Sequence, residues 1–268
     1  MKLAVSNIAW DAPEAEHMLA GLARAGVRGI EVAPTKLWPD WTGASPSAAR
    51  KAALRFSEAG FSVPALQAIL FGRPDLLVFG TAEQQAALVE HIERVAALAE
   101  GLGARVLVFG SPRNRDPGVL SADEAMDRAA DLFRRMAERC EPHGVCLCLE
   151  PNPGRYDCRF LTRWQDVVRM VERVDHPGLQ AHFDVACVAL EGDDPAAELA
   201  RGGPMPAHLH VTEPDLGPFG APSLDHARIG AAVRARTYPN WISIEMRRAD
   251  DPLSRVLEAV ELVKRCYG

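Results

Sequence analysis

The chain has 268 residues, with 30 basic and 36 acidic side chains, and its formal net charge is −6 at pH 7. Its 48% apolar and 25% charged residues are typical of a globular protein that buries a large core. An acidic chain lacks the basic face that binds a phosphate backbone, so we expect no nucleic-acid partner.

No apolar run reaches the roughly 18 residues of a membrane-spanning helix, and we expect no membrane contact. The first residues lack the apolar region and cleavage site of a signal peptide. The six cysteines lie in the second half of the chain without Cys-x-x-Cys spacing, which favours reduced thiols over a disulfide framework. These features predict a cytoplasmic protein.

Short, continuously apolar segments recur along the chain, most of them after a Gly or Pro turn. Such segments are typical of parallel strands that are covered on both faces. They predict eight strands, within 2–10, 26–34, 60–68, 103–111, 144–152, 178–186, 206–214 and 239–247.

Helical patterns separate these strands. The clearest begins with the capping box of Thr81 and Gln84 and ends at Gly103. The patterns predict eight helices, within 12–26, 45–60, 81–103, 121–144, 162–174, 194–203, 226–237 and 251–268.

Eight strand-helix units of about 33 residues each predict an α/β fold, a single (β/α)8 TIM barrel with parallel strands. An open doubly wound sheet is the alternative. The closed barrel is favoured because no Gly-x-Gly-x-x-Gly follows the first strand and because eight units can close. No linker divides the chain, so residues 1–268 are expected to form one domain.

Polar side chains stand at the ends of four consecutive predicted strands, the fifth to the eighth. They are Glu150, Asp184, His210 and Glu245. In a parallel barrel the C-terminal ends of the strands converge on one mouth, where active sites lie. Three carboxylates held together repel one another unless a cation neutralises them, and one imidazole with three carboxylates suits Mn²⁺, Co²⁺ or Mg²⁺.

These residues and their neighbours resemble the xylose-isomerase-like TIM barrel superfamily of sugar isomerases and epimerases, which includes ketose 3-epimerases and hydroxypyruvate-isomerase-like members. The resemblance is carried by LCLEPN, HFDVAC, HLHVTEPD and ISIEM, in this order. It implies one divalent cation (Mn, Co, Mg or Zn, with Mn favoured) held by Glu150, Asp184, His210 and Glu245.

The resemblance also implies the reaction. Glu150 and Glu245 would be the catalytic pair, exchanging a proton with the carbon next to the carbonyl of a small hydroxy-ketone through an enediolate. The expected partner is a small sugar or polyol, and a homo-oligomer is compatible with the resemblance.

Further residues are candidates for substrate contact at the mouth. The set consists of Asn7, Trp10, Gln67, Asn152, Cys187 and Arg247. Each also has an ordinary structural interpretation, such as a packed thiol for Cys187 or a surface ion pair with Asp250 or Asp251 for Arg247. His182 and His208 precede two of the proposed ligands by two residues, which predicts the same strand face one layer deeper.

Two positions depart from the sugar enzymes of the family. Cys187 replaces a histidine that contacts substrate oxygen in many of them, and Leu216 replaces an arginine of the ketose epimerases. These departures leave open a metal-dependent lyase that dehydrates a keto-polyol. An abasic-site endonuclease is disfavoured by the charge and by the absence of strand-end histidines on strands two to four. A sugar-binding barrel without catalysis is the remaining alternative.

Overall fold

The computed structural model describes residues 1–268 and contains eight strands. In chain order they are β1 (Lys2–Ser6), β2 (Gly29–Glu31), β3 (Ala65–Leu66), β4 (Val106–Phe109), β5 (Cys146–Leu149), β6 (Leu179–Asp184), β7 (His208–Val211) and β8 (Trp241–Ile244). Each strand lies within one of the predicted segments.

All strand pairs are parallel, and the hydrogen-bonded order is β2-β1-β8-β7-β6-β5-β4-β3. Isolated bridges from Gly29 to Ser62 and from Val32 to Leu66 bring the two ends of this order together. The sheet is therefore a nearly closed barrel, and the predicted (β/α)8 fold is confirmed.

Ten α-helices surround the strands. They are α1 (Ala15–Arg24), α2 (Pro34–Leu37), α3 (Pro46–Glu58), α4 (Ala82–Leu102), α5 (Ala122–Cys140), α6 (Trp164–Val174), α7 (Val185–Leu190), α8 (Pro195–Arg201), α9 (His226–Ala235) and α10 (Pro252–Tyr267). Eight match the predicted helices, and α4 has the predicted capping box and ends at Gly103 with a φ of 79°. The short helices α2 and α7 are additional.

Helix α7 begins directly after a strand because its first turn is capped from the barrel mouth. Asp184 ends β6, and its carboxylate accepts a hydrogen bond from the backbone N–H of Cys187. A side-chain oxygen at this position satisfies a backbone donor that the first helical turn leaves free. Asp184 thus ends the strand, starts the helix and stays fixed at the mouth.

The outward faces of the strands and the inner faces of the helices form a hydrophobic core of 67 buried residues. A smaller apolar cluster lies within the barrel on β3, β4 and β5, at Ala65, Val106, Val108 and Cys148. None of the helices combines the length and the apolarity needed to cross a membrane.

Strand register brings polar side chains together on the opposite side of the barrel interior. His182 of β6 is the register partner of His208 of β7, and Asp184 is the partner of His210. On the other side of β7, His210 pairs in register with Ser243 of β8. Since side chains alternate between the two faces of a strand, these residues share the interior face.

Candidate metal centre and barrel mouth

Four side chains meet at the C-terminal ends of β5 to β8. Glu150 and Glu245 directly follow β5 and β8, Asp184 ends β6, and His210 lies in β7. Each offers one ligand atom, and these atoms all lie within 4.8 Å of one another. Nδ1 of His210 is 3.2 Å from Glu245 Oε2, 3.4 Å from Glu150 Oε1 and 3.8 Å from Asp184 Oδ2.

The His210 ring is oriented by Glu31, a fully buried residue at the end of β2 that the sequence analysis did not identify. Nε2 of His210 lies 3.0 Å from both oxygens of the Glu31 carboxylate and donates to it. The hydroxyl of Ser243 donates to the same carboxylate at 2.6 Å. Carboxylate–histidine pairs of this kind fix ring orientation in metal sites, leaving the other nitrogen to bind.

Asp184 and Glu150 are also each held through one oxygen. Oδ1 of Asp184 accepts from the hydroxyl of Thr212 at 2.8 Å and from the backbone N–H of Cys187 at 2.7 Å. Oε2 of Glu150 accepts from Nδ2 of Asn152 at 3.0 Å. In both residues the second oxygen is the one close to His210 Nδ1, so the ligand atoms are oriented before any ion binds.

The loop after β4 restricts Glu150 further. A Cβ atom at Gly110 would collide with Oε2 of Glu150, so a side chain there would force this carboxylate out of its present orientation. Arg115 is fully buried in the same loop, and its Nη2 donates to the backbone carbonyl of Glu150 at 2.8 Å. The end of β5 is therefore held from its side chain and from its backbone.

The charges in this cluster perturb one another. Burial, followed by the charge of Glu150, raises the pKa of Asp184 to about 7. Burial also raises the pKa of Glu245, against the opposing charge of His210. Burial alone would lower the pKa of His210, but the carboxylates of Glu31 and Glu245 hold it well above its ordinary value.

The residues fit a divalent cation. Nδ1 of His210 is buried and has no hydrogen-bond partner, which is unusual for a buried nitrogen. Three carboxylate oxygens lie within 3.8 Å of it, and burial, against the opposing charge of His210, raises the pKa values of two of these carboxyls, Asp184 and Glu245. A cation at this point would favour the ionised form of the carboxylates and could be coordinated by Nδ1 of His210.

A second group of histidines lies one layer deeper, as the period of two predicts. His182, His208 and His210 place ring nitrogens within 4.8 Å of one another, and His182 is fully buried. Nε2 of His208 is 3.1 Å from Oε1 of Glu31. Burial, followed by the charges of His210 and His208, lowers the pKa of His182 well below its ordinary value, so its ring is neutral.

Two of the proposed substrate contacts have structural partners near the end of β1. The side-chain oxygen of Asn7 accepts from the backbone N–H of Ala33 at 2.8 Å, which ties β1 to the loop after β2. Trp10 is 4% exposed and belongs to the hydrophobic core. Neither residue lines the cavity that contains Glu150.

Gln67 does reach that cavity. It lines a space of about 540 Å³ together with Gly110, Arg113, Glu150 and Tyr156. Its amide also donates to the hydroxyl of Ser6. Pockets of this size are typical of small-molecule sites.

Cys187 lies beside the metal candidates, whereas Arg247 is held by a neighbouring loop. The thiol of Cys187 is buried, and burial followed by the charge of Asp184 raises its pKa well above the ordinary value. The Arg247 guanidinium donates to the backbone carbonyl of Asp215, rather than pairing with Asp250 or Asp251. Arg247 therefore links the loop after β8 to the loop after β7.

A second buried carboxylate–histidine pair lies beyond the cluster. His226 begins α9, and its Nε2 is 2.7 Å from Oε1 of Glu213. Its Nδ1 is 2.9 Å from the hydroxyl of Tyr267 in α10. Both oxygens of Glu213 are occupied, since Oε2 accepts from the hydroxyl of Ser223 at 2.6 Å.

Comparison with solved structures finds similar barrels of low sequence identity. The 3-keto-D-glucoside 4-epimerase from E. coli in its apo form has a TM-score of 0.81 and 20% identity, over 99% of this chain and 100% of that chain. D-psicose 3-epimerase in the presence of D-fructose has a TM-score of 0.82 and 17% identity, over the whole of both chains.

An AP endonuclease of family 2 from Brucella melitensis has a TM-score of 0.77 and 16% identity, over 96% of this chain and 97% of that chain. At these identities the matches show the fold.

No curated protein matches the sequence significantly. A family profile described as "Xylose isomerase-like TIM barrel" matches residues 19–266, which confirms the resemblance of the strand-end motifs. The chain therefore belongs to the xylose isomerase-like TIM barrel family.

Proposed function

We propose that this protein is a divalent-metal-dependent sugar isomerase or epimerase that moves a proton next to the carbonyl of a small hydroxy-ketone. The observation that carries the proposal is the closeness of two glutamate carboxylates, from β5 and β8, to one imidazole nitrogen. Glu150 Oε1 and Glu245 Oε2 lie 3.4 and 3.2 Å from Nδ1 of His210. Similar folds that are sugar epimerases add support.

Exposure distinguishes the carboxylates. The side chains of Glu150 and Glu245 are each 12% exposed, whereas that of Asp184 is 2% exposed. Only the two glutamates therefore reach the open side of the cluster, where a substrate carbon can lie within proton-transfer distance. Since they follow β5 and β8, on either side of the other two ligands, they can face opposite sides of a bound substrate.

The residues that would hold the cation are Glu150, Asp184, His210 and Glu245, with Mn²⁺ favoured for this set of one nitrogen and three oxygen donors. When bound, the cation would supply Lewis-acid polarisation of the substrate carbonyl and stabilise negative charge on its oxygen. Glu31 orients the imidazole of His210, and Thr212 and Asn152 orient the carboxylates of Asp184 and Glu150.

The side chains of Glu150 and Glu245 then carry out the proton transfer. One glutamate removes the proton from the carbon next to the carbonyl, and the other returns a proton to the same carbon or its neighbour. Return to the opposite face of the same carbon inverts its configuration. Return to the former carbonyl carbon, with the hydroxyl proton passing to the former carbonyl oxygen, gives an isomer. The pocket of about 540 Å³ beside Glu150 suits a small sugar or polyol.

The first experiment measures metal content by elemental mass spectrometry on protein purified without chelator or nickel affinity. About one equivalent of a divalent metal per chain is expected. The loaded protein is then incubated in D₂O with ketoses and inososes, and carbon-bound deuterium is measured by mass spectrometry.

Glu150→Gln and Glu245→Gln should abolish deuterium incorporation, while Glu213→Gln, at a buried glutamate outside the cluster, should retain it. The absence of exchange across the whole panel would overturn the proposed reaction. An enone product that absorbs in the ultraviolet would instead identify the lyase. Unaltered behaviour of both cluster variants would favour a binding protein without catalysis.

A further inference from the structure

His182 is a buried residue whose polar atoms have no partner. It lies in the interior layer below the four metal candidates and is 0% exposed. Neither Nδ1 nor Nε2 makes a hydrogen bond. Because an unpartnered buried polar group destabilises the fold, its presence here needs an explanation.

The neighbours of His182 narrow that role. Its ring packs edge-on against His210 with centroids 4.2 Å apart, and the ring of His208 is 5.6 Å away. The nearest carboxylate oxygen is Oε1 of Glu150, 3.5 Å from Nδ1. The full burial of His182 excludes contact with substrate and exchange of protons with solvent.

Metal binding by His182 is not favoured either. The deeper histidine group shares His210 with the four-residue cluster, and Nε2 of His210 already donates to Glu31. A second ion there would have to displace this hydrogen bond. The remaining role is toward Glu150.

The carboxylate of Glu150 is held on one side only. Oε2 accepts from Asn152 at 3.0 Å, while Oε1 lies between Nδ1 of His182 and Nδ1 of His210 at 3.5 and 3.4 Å. A carboxylate oxygen has two lone pairs, so Oε1 can accept a hydrogen bond and also bind a cation. A shift of about 0.5 Å would bring it within ordinary hydrogen-bond distance of His182.

We propose that His182 is a positioning residue, which donates from Nδ1 to Oε1 of Glu150 and, with Asn152, fixes that carboxylate from both sides in the orientation that a divalent cation requires. This inference rests on the proposed function, because it concerns the same metal centre. Without His182, the Glu150 carboxylate can rotate about its terminal bond, and both metal affinity and the position of the proposed base suffer.

The test compares His182→Leu, which removes the donor, with His182→Asn, whose amide can donate from nearly the position of Nδ1. The matched control is His91→Leu, at another buried histidine, which bonds the backbone carbonyl of Ile69 from outside the cluster. Metal-free protein is titrated with Mn²⁺, and free Mn²⁺ is measured by electron paramagnetic resonance.

We expect the Mn²⁺ dissociation constant to rise about 10-fold in His182→Leu, within the range of outer-shell partners, and to recover in His182→Asn. His91→Leu should bind as the wild type does. Wild-type affinity in His182→Leu would overturn the inference while leaving the proposed function intact. Two Mn²⁺ equivalents that fall to one in His182→Leu would overturn it by making His182 a ligand.

A measurement on the unaltered protein does not depend on whether a variant folds. Nitrogen-15 spectra of labelled histidine in the Mg²⁺-loaded protein report which ring nitrogen of His182 carries the proton. The inference requires the proton on Nδ1, and a proton on Nε2 alone contradicts it. If Mn²⁺ binds as expected but no sugar exchanges deuterium, the proposed reaction fails and the positioning role of His182 stands.

Discussion

Two buried carboxylate–histidine pairs lie at the same end of the barrel, and they are built almost identically. In each, Nε2 of the histidine donates to a glutamate, at 3.0 Å for His210 and Glu31 and at 2.7 Å for His226 and Glu213. Each glutamate also accepts from a serine hydroxyl at 2.6 Å. The pairs differ at the other ring nitrogen.

Nδ1 of His226 is saturated by the hydroxyl of Tyr267, whereas Nδ1 of His210 has no hydrogen bond and faces three carboxylates. The same pair therefore has both ring nitrogens partnered in one region and one unpartnered nitrogen facing carboxylates in the other. The Glu213–His226 pair holds α9 and the loop after β7 against α10. The Glu31–His210 pair leaves Nδ1 of His210 directed toward the barrel mouth.

The largest expected contrast comes from removing each histidine. His210→Ala should weaken Mn²⁺ binding by more than about 100-fold, beyond the range of outer-shell partners, because it removes a proposed ligand. His226→Ala should leave the Mn²⁺ dissociation constant unchanged but destabilise the fold by about 3 kcal/mol, since it leaves the Glu213 carboxylate buried without this hydrogen-bond donor. Calorimetric Mn²⁺ titration and urea unfolding measure the two effects. Equal loss of metal binding in both variants would remove the distinction.

A smaller contrast is expected at the glutamates. Glu31→Gln should weaken Mn²⁺ binding about 10- to 100-fold, because the amide no longer provides a charged acceptor for the His210 N–H. Glu213→Gln should not alter it and should cost about 1–3 kcal/mol of stability through weakened buried hydrogen bonds. Calorimetric Mn²⁺ titration measures the first effect and urea unfolding the second. An unaffected Glu31→Gln would show that the orientation of His210 does not depend on Glu31.

The sequence predicted the barrel and the four cluster residues because both follow from simple periods. Apolar strand segments alternate with helical patterns, and the ends of parallel strands meet at one mouth. It also placed His182 and His208 one layer below, since side chains on a strand repeat every two residues.

Glu31 could not be assigned a partner in the same way. It lies within the predicted strand segment 26–34, but its pairing with His210 joins residues 179 positions apart and depends on barrel closure. Gly110 is a similar case, because the collision between a Cβ atom there and the Glu150 carboxylate arises only when β4 and β5 lie side by side. The partner of Arg247 could not be predicted either. It is the backbone carbonyl of Asp215, and every residue has a backbone carbonyl, so residue types do not indicate the pairing.

The pH dependence of the free energy of unfolding should also differ between the metal candidates and the Glu213–His226 pair. In metal-free protein the pKa of Asp184 is raised from 3.8 to about 7, so the folded state binds more protons than the unfolded state between these values. The contribution of Asp184 to the free energy of unfolding should therefore fall as pH rises from about 4 to 7, by up to roughly 1.4 kcal/mol per pH unit for one proton. The raised pKa of His210 acts in the same direction, since its contribution is lost as pH rises toward that pKa.

Saturating Mn²⁺ should abolish or reverse this trend, because ligand ionisation then accompanies metal binding. Thermal unfolding at pH 5, 6, 7 and 8, with and without Mn²⁺, measures it. The Glu213 region contributes the opposite sign, since its lowered pKa stabilises the fold at neutral pH and that contribution is lost only in acid. Because the lowered pKa of His182 contributes the opposite sign over the same range, the slope is compared with that of Asp184→Asn, and equal slopes from pH 5 to pH 7 in the two metal-free proteins would contradict the assignment of Asp184.

The variant with the smallest expected effect tests whether a ring nitrogen without a hydrogen-bond partner is sufficient for metal binding. Tyr267→Phe removes the hydroxyl that saturates Nδ1 of His226 and gives that ring the same free nitrogen as His210. Loss of one buried hydrogen bond should cost about 1 kcal/mol in urea unfolding. No extra Mn²⁺ equivalent should appear, because no group of carboxylates faces His226 as Glu150, Asp184 and Glu245 face His210. A second equivalent in this variant would show that the free nitrogen, rather than the surrounding carboxylates, determines where the cation binds.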